Sequence, residues 1–398
     1  MGGPREKVLQ EVESIREEIL RISRYIYDNP ELGSEEHKAA RLLSSTLRNY
    51  GFSVQENFLG METAFKATYS GLEPKPRMAL LAEYDALPSL GHACGHNLIA
   101  ATAVGSGIAV SRIVTETKKG TVIVLGTPAE EGMGKDSMSK IAMVKQGVFS
   151  DVDLAMMIHP SSRNTVMDTS LALEDLEIEF VGRPAHAAAS PEKGINALDA
   201  MILTFDGINA LRQHVTSDVR VHGIITEGGK HPAIIPEKTV AKFLVRAGNV
   251  SRLKTIVERV KSCAKGAAEA TGSEVEFRTT GKVREDTMPN PILATLLAKN
   301  MGSMGMNVEG PRGTPGSTDF GNVSHAVPSV CASVAIAQPH VAGHTHEFME
   351  ASGSDEANEA TIRATKAIAL TCVDLLTSDK LMNDVKTSFE KMRKENNP

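Results

Sequence analysis

The sequence predicts an α/β protein whose mostly parallel sheet is interrupted by an inserted, ferredoxin-like α+β domain. Within residues 1–171, short apolar runs alternate with helical patterns, which is typical of a parallel sheet covered by helices on both faces. Residues 172–281 instead contain strands in which apolar and polar side chains alternate, as in a sheet with one buried face. The α/β pattern returns in residues 282–398. The chain therefore predicts one domain in two parts around an insertion.

The elements of the first part follow from the spacing of the apolar residues. These recur at helical spacing over 6–27 and 36–50, and the first pattern ends at Asp28-Asn29-Pro30. Continuous apolar runs at 78–82, 121–125 and 154–158 predict buried strands, with helices at 98–114 and 140–146.

The insertion has a recognisable order of elements. A strand at 172–181 is followed by a helix at 196–214, strands at 219–226 and 239–246, a helix at 251–271 and a strand at 274–279. This β-α-β-β-α-β order is that of a split βαβ, ferredoxin-like unit. Beyond the insertion, a long helix is predicted at 354–376, and the charged segment after Ser378 is interpreted as a solvated helix end.

The composition excludes several classes of protein. Among the 398 residues, 43 Lys and Arg face 49 Asp and Glu, and there is no Trp, so neither a basic stripe nor an aromatic platform for nucleic acid is expected. The longest apolar stretch, residues 98–110, is too short to cross a bilayer, so no membrane partner is expected. Four scattered cysteines and the lack of an apolar leader predict a reducing, cytoplasmic location.

Polar side chains gather where the three predicted parallel strands end. Ligands of open parallel sheets collect beyond the carboxyl ends of the strands, so these side chains are expected to lie close together. Thiolate, imidazole and carboxylate groups in one place suit Zn²⁺ or a similar first-row metal. The side chains are Glu83 and Asp85, Cys94 and His96, Glu130 and Glu131, and His159.

Other interpretations compete with a metal site. Cys94 could be the nucleophile of a cysteine hydrolase with His92 or His96 as its base, although this short spacing within one loop disfavours it. The chain could also be a non-catalytic binding protein that retains the fold. Removal of metal by a chelator would inactivate a metalloenzyme and leave a cysteine hydrolase unaffected.

Five motifs carry a resemblance to a known family. Together they resemble the aminoacylase and carboxypeptidase-G family of dinuclear metallopeptidases, and in particular its amidohydrolase subfamily. The resemblance extends over nearly the whole chain, including the insertion. The motifs are Glu-Tyr-Asp-Ala-Leu-Pro (83–88), Gly-His-Ala-Cys-Gly-His-Asn (91–97), Thr-Pro-Ala-Glu-Glu-Gly (127–132), Gly-Ser-Thr-Asp-Phe-Gly-Asn-Val-Ser-His (316–325) and Gly-His-Thr-His-Glu-Phe (343–348).

The resemblance implies a role for each residue of a two-metal site. Glu130 would be the general base, and Asp85 would orient a ligand. His346 competes with His344 as the last ligand. The cofactor would be two divalent ions per subunit, Zn²⁺, Mn²⁺ or Co²⁺, with the Cys94 thiolate bridging them. The implied metal ligands are Cys94, His96, Glu131, His159 and His344.

The insertion carries a further catalytic candidate. Gly-Arg-Pro-Ala-His-Ala (182–187) resembles the family segment whose histidine reaches the active site of a partner subunit. His186 would then stabilise the oxyanion of the reaction from across a homodimer interface formed by residues 172–281. The alternative is that His186 is a surface residue of a monomer.

One departure from the family concerns the substrate, which the resemblance implies to be a small dipeptide or N-acyl amino acid. Ala233 stands where the family has an Asn that helps hold the substrate. Either the substrate differs, or other residues hold its carboxylate. Arg246 suits that role by its planar fork, although a strand Arg can equally pair with a nearby acid. The candidate substrate-binding residues are His222, Arg246, Gly316, Ser317 and Thr318.

Overall fold

The computed structural model describes residues 2–311 and 316–396, which divide into two compact units. The inserted unit comprises Ser170–Asp286 together with residues 316–318, and the first unit comprises the other described residues. The sequence analysis placed the insertion at 172–281.

The helices and strands are numbered in chain order. The first unit begins with α1 (Pro4–Ser14), α2 (Arg16–Asp28), α3 (His37–Asn49), β1 (Ser53–Glu56), β2 (Phe65–Ser70), β3 (Glu73–Ala82), α4 (His96–Thr117), β4 (Lys119–Gly126), α5 (Ser139–Lys145) and β5 (Leu154–Ser161). The inserted unit contains β6 (Ala172–Val181), α6 (Ala197–Leu211), β7 (Arg220–Glu227), β8 (Lys238–Ala247), α7 (Val250–Thr271) and β9 (Glu274–Thr279). The first unit resumes with α8 (Pro291–Ser303), α9 (Phe320–Ala326), β10 (Ser329–Ala335), α10 (His346–Ser352), α11 (Asp355–Thr377) and α12 (Asp379–Asn396).

The sheet of the first unit is mixed but mostly parallel, which confirms the predicted fold class. Its strand order is β1-β2-β4-β3-β5-β10. Strands β4, β3, β5 and β10 are parallel, whereas β2 pairs antiparallel with β4 and β1 antiparallel with β2. The two antiparallel strands, β1 at the edge and β2 beside it, were not predicted from the sequence, and β1 is only four residues long and largely exposed.

Helix α4 is the central helix of the first unit. By length and composition alone it could cross a membrane, but 89% of its most apolar window is buried inside the protein. Two small residues allow this close packing. A Cβ atom on Gly105 would lie 2.7 Å from Ile19 Cγ1, and one on Gly107 would lie 2.6 Å from Val124 Cγ2. The sheet and the neighbouring helices therefore approach the backbone of α4 directly.

The inserted unit has the predicted ferredoxin-like arrangement. Its sheet has the order β7-β8-β6-β9, and every neighbouring pair is antiparallel. Helix α6 begins at an Asn196 cap whose side chain accepts hydrogen bonds from the backbone of Leu198 and Asp199. The apolar sides of α6 and α7 and one face of the sheet share a core of their own.

Two sequence interpretations are wrong in detail. The helix predicted at 6–27 is two helices, because Ile15 leaves the helical conformation with φ −108° and ψ 14°. The charged segment after Ser378 is not simply solvated. It forms α12, in which Met382, Val385 and Phe389 are buried. One apolar side chain per helical turn therefore anchors this charged helix.

Candidate metal centre

Three neighbouring strands place the candidate metal ligands at one end of the large sheet. Strands β4, β3 and β5 are adjacent and parallel, so their carboxyl ends meet there. Glu83 follows β3 directly, Glu130 and Glu131 follow β4, and His159 lies near the end of β5. His96 is the first residue of α4.

The side chains form two donor groups that share Cys94. One group is Cys94, His96 and His159, and the other is Cys94, Glu131 and His344, and the ligand atoms within each group lie within 4.8 Å of one another. Cys94 Sγ is 3.5 Å from His159 Nε2, and His344 Nε2 is 3.4 Å from Glu131 Oε1. Two nitrogen or oxygen ligands about 2.1 Å from one ion at a tetrahedral angle are about 3.4 Å apart, and a sulfur–nitrogen pair slightly more. The spacing therefore fits two ions with a common thiolate.

Hydrogen bonds orient the histidines for this role. His96 Nδ1 donates to Asp85 Oδ1 at 2.9 Å, and His159 Nδ1 donates to the Pro160 carbonyl at 2.7 Å. In these tautomers each Nε2 keeps its lone pair for a metal. The other Asp85 oxygen accepts the Glu131 backbone N–H at 2.9 Å, so one carboxylate fixes two candidate ligands.

Buried atoms without hydrogen-bond partners support the fit of a cation. Among the described residues, His96 Nε2 and Glu131 Oε1 have no hydrogen-bond partner, although both atoms are inaccessible to solvent. They lie 3.8 Å apart. Burial of an unpaired polar atom is costly, and a cation between the two atoms would remove that cost.

The pKa values of the cluster indicate which side chains carry protons that a metal ion must displace. Burial raises the pKa of the Cys94 thiol to about 12 and that of Glu131 to about 7. Burial alone would lower the pKa of His96, but the neighbouring Asp85 carboxylate raises it well above its usual value. Metal binding therefore releases protons.

The loop that carries Glu130 and Glu131 is held by a residue that the sequence analysis missed. The buried Glu36 carboxylate accepts hydrogen bonds from the Ala129 backbone N–H at 2.8 Å and from Thr63 Oγ1 at 2.9 Å. Ala129 has a left-handed φ of 59°, which a residue with a side chain adopts only at a cost. Burial raises the pKa of Glu36 to about 7.

A buried chain of three charges was also missed. Lys140 Nζ lies 2.7 Å from Glu83 Oε1 and 2.7 Å from Asp319 Oδ1. All three side chains are almost completely buried, with exposed fractions of 0–1%. The second oxygen of Asp319 accepts the Lys140 backbone N–H at 3.1 Å. A lysine at the start of a short helix gives no sequence signal of burial, and Asp319 lies 179 residues away in the chain.

The structure separates the two candidate C-terminal ligands. His344 has a left-handed φ of 65°, and its backbone N–H donates to the Ala93 carbonyl at 2.9 Å, which places its ring beside Glu131. His346 is the first residue of α10 and belongs to neither of the two donor groups.

In the inserted unit, His186 is exposed. Its Nδ1 accepts the backbone N–H groups of Ala188 and Ala189 at 3.3 and 3.2 Å, so its neutral form carries the proton on Nε2. The carbonyl of Ala233 accepts the Ala187 N–H at 2.9 Å. The position where the family has Asn is therefore next to His186.

The candidate substrate-binding residues lie on β7, on β8 and in the 316–318 segment of the inserted unit. Arg246 Nη1 donates to Ser317 Oγ at 2.9 Å, and Ser317 Oγ donates to the Leu171 carbonyl at 2.7 Å. The Gly316 carbonyl accepts the Leu171 N–H at 2.9 Å, and Thr318 follows in the same segment. His222 is exposed on β7, where it pairs with Leu244 of β8, two residues before Arg246 and on the same face of the sheet.

The fold and this donor set define a metal-dependent hydrolase. Comparison with known proteins gives the family. The profile of peptidase family M20/M25/M40 matches residues 79–370, and the chain belongs to this family. Xaa-Arg dipeptidase of Mus musculus is 35% identical over 400 residues, which cover 96% of this chain and 91% of the relative. A p-aminobenzoyl-glutamate hydrolase chain of Escherichia coli (strain K12) is 35% identical over 314 residues, 74% of this chain and 64% of the relative.

Solved structures share the fold. The Bacillus subtilis YXEP protein, described as a dinuclear metal binding peptidase from the M20 family, superposes with a TM-score of 0.70 at 19% identity, covering 92% of this chain and 99% of that one. The aminobenzoyl-glutamate utilization protein from Klebsiella pneumoniae gives a TM-score of 0.66 at 20% identity, with 91% and 97% covered. The family resemblance and the hydrolase function predicted from the sequence are confirmed.

Proposed function

We propose that the chain hydrolyses the amide bond of dipeptides or N-acyl amino acids with two divalent ions per subunit, Zn²⁺, Mn²⁺ or Co²⁺. One observation carries the proposal, namely the pair of three-residue donor groups that share Cys94. In this assignment one ion is held by Cys94, His96 and His159, and the other by Cys94, Glu131 and His344.

The side chains of the centre divide the work of amide hydrolysis. When bound, the ions supply a water of lowered pKa and positive charge for the oxyanion. Glu130 accepts a proton from the attacking water and delivers it to the leaving amine. Asp85 orients the His96 ring and the Glu131 backbone through its two hydrogen bonds.

The substrate class comes from the relatives and from the residues around His186. The similar proteins are named for a dipeptide and for p-aminobenzoyl-glutamate, both of which contain an amide bond next to an amino acid. With Ala at position 233, the amide side chain expected beside His186 is missing. Arg246 and the 316–318 segment are proposed to hold the substrate carboxylate instead.

Surface chemistry supports a homodimer through the inserted unit. β7 is an edge strand, and Ile224 on it is 66% exposed. Helix α6 of the same unit exposes Ile202 and Leu203 at 47% and 43%. Unpaired strand edges and apolar patches of this kind favour association. In the proposed dimer, His186 acts in the partner's site, and its Nε2–H donates to the oxyanion.

The test is a substrate screen coupled to metal analysis. The purified protein is loaded with Zn²⁺, Mn²⁺ or Co²⁺ and offered dipeptides and N-acyl amino acids, and release of the amino acid is measured. We expect turnover with at least one ion and its loss in chelator. A Cys94→Ala, His96→Ala double variant should contain no metal by elemental analysis. Full metal content in this variant contradicts the assignment, and no cleavage after full loading favours the binding-protein alternative.

A further inference from the structure

The two carboxylate oxygens of Glu83 face different neighbours. Its Oε1 lies 2.7 Å from Lys140 Nζ, and its Oε2 lies 3.5 Å from His96 Nε2. We infer that Glu83 is a further metal ligand, which binds through Oε2 the ion held by His96, and that Lys140 and Asp319 position it for this. The inference rests on the two-ion centre proposed above.

Glu83 and His96 are spaced as two ligands of one ion would be. The 3.5 Å between Glu83 Oε2 and His96 Nε2 matches the separation of about 3.4 Å expected for two ligands of one ion at a tetrahedral angle. It is too long for a good hydrogen bond between these atoms. Neither atom has a hydrogen-bond partner among the described residues, although both are buried. A cation between them satisfies both atoms at once.

Charge also favours a cation beside Glu83. Two buried carboxylates, Glu83 and Asp319, share the single ammonium group of Lys140, so the lysine alone does not balance their charge. Burial of an uncompensated charge is costly. Asp319 also accepts a hydrogen bond from the Lys140 backbone N–H, so it binds both the backbone and the side chain of the lysine. A cation at Glu83 Oε2, the oxygen next to His96 Nε2, would balance the second carboxylate.

Glu83 lies on the side of the centre that carries Glu130. Glu83, His96 and Glu130 form another group whose ligand atoms lie within 4.8 Å of one another. Glu83 therefore lies near the carboxylate proposed as the general base. Lys140 blocks Glu83 Oε1, so only Oε2 is available and the binding is through one oxygen.

The experiment compares metal binding by the full chain and by Glu83→Gln, which keeps the shape of the side chain and removes its charge. Both proteins are stripped with a chelator and titrated with Mn²⁺ and Zn²⁺ by calorimetry, with elemental analysis of the product. We expect two ions in the parent protein. In Glu83→Gln, the affinity for one ion should fall at least about tenfold, while the other changes less than about twofold. The visible spectrum of the Co²⁺-loaded variant should also change.

Lys140→Met tests the positioning role. It should weaken the same ion by about 10–100-fold, and Glu83→Gln combined with Lys140→Met should be no weaker than Glu83→Gln alone. The matched control is Asp153→Asn. This carboxylate is also buried and paired with a lysine, Lys386, at 2.6 Å, but it precedes β5 and lies about 20 Å along that strand from His159. The Asp153→Asn variant should bind both ions with the same affinity as the parent protein.

The outcomes separate the inference from the proposal on which it rests. If the parent protein binds fewer than two ions, the two-ion centre itself is wrong. If the parent binds two ions and Glu83→Gln binds both with unchanged affinity and an unchanged Co²⁺ spectrum, Glu83 is not a ligand. Glu83→Gln decides the ligand role even if Lys140→Met does not fold.

Discussion

The candidate functional groups of the two units differ most in burial. In the first unit, His96, Asp85 and Lys140 are at most 1% exposed, and they contact one another or further ionisable side chains. In the inserted unit, His186 and His222 are exposed, and the contacts found for His186 are with its own backbone segment. The first unit is therefore built to hold charge in its interior, whereas the inserted unit presents its histidines at a surface. On the proposed function, the second arrangement is completed only by a partner.

The largest expected effect tests the buried side of this comparison. Glu130→Gln keeps the shape of the side chain and removes the base, so turnover should fall by about 10²–10⁴-fold, while metal content stays normal. Initial rates and elemental analysis on the same preparation check this. Near-normal turnover would exclude Glu130 as the base. Loss of metal from the variant would instead show that Glu130 is a metal ligand.

The next effect tests the exposed side. His186→Ala should lower turnover by about 10²–10³-fold, the usual cost of losing one oxyanion donor, without changing metal content. Mixing inactive His186→Ala chains with inactive Glu130→Gln chains should restore activity, because some hybrid dimers then contain one intact site.

Ile224→Lys provides the control for this mixing experiment. It places a charge on the exposed apolar edge strand, so chains that carry it should be monomeric by light scattering and should give no restored activity. If chains without this substitution exchange subunits and activity still does not return, His186 does not act across an interface.

The smallest expected effect is on the pH dependence of stability, through the buried Glu36 of the first unit. The pKa of Glu36 is raised from 4.5 to about 7, so between these values the folded protein holds a proton that the unfolded chain releases. Stability therefore falls as pH rises through this range. Glu36→Gln lacks this dependence, and from about pH 5.5 to 8 the variant should gain about 2 kcal/mol relative to the parent in urea unfolding with chelator present.

The neighbouring Glu35 is the matched control, since it is exposed and lies beside Glu36 in the same loop before α3. Glu35→Gln removes a carboxylate from the same loop without removing the buried contacts of Glu36, and its unfolding is measured under the same conditions. A constant difference for Glu36→Gln across the range would show that its carboxyl is ionised throughout.

Much of the fold and the core of the centre could be predicted from the sequence. Parallel strands that end in polar residues must bring those residues together, and a Cys-x-His pair before a helix has few structural reasons to exist. This is why Cys94, His96 and His159 were predicted as neighbours and lie in one donor group. Strands β6 and β9 were predicted at the residues where they occur, because alternation is a strong signal over six to ten residues.

The residues that were missed depend on long-range packing. Glu36, Lys140 and Asp319 lie in segments whose local pattern is that of ordinary surface charge. Their burial arises from neighbours that lie far away along the chain, such as Ala129 for Glu36. Likewise, the break at Ile15 has no Gly or Pro to announce it. Local periodicity carries no information about such contacts.

The position of β10 and His344 in the chain determines when the centre can form during synthesis. β10 pairs with β5, and His344 lies beside Glu131, yet the inserted unit separates each pair along the chain. The inserted unit is almost continuous in sequence and can fold as soon as it leaves the ribosome. The metal centre must wait for the later segment, because a nascent chain that ends at residue 286 lacks both β10 of the large sheet and the proposed ligand His344.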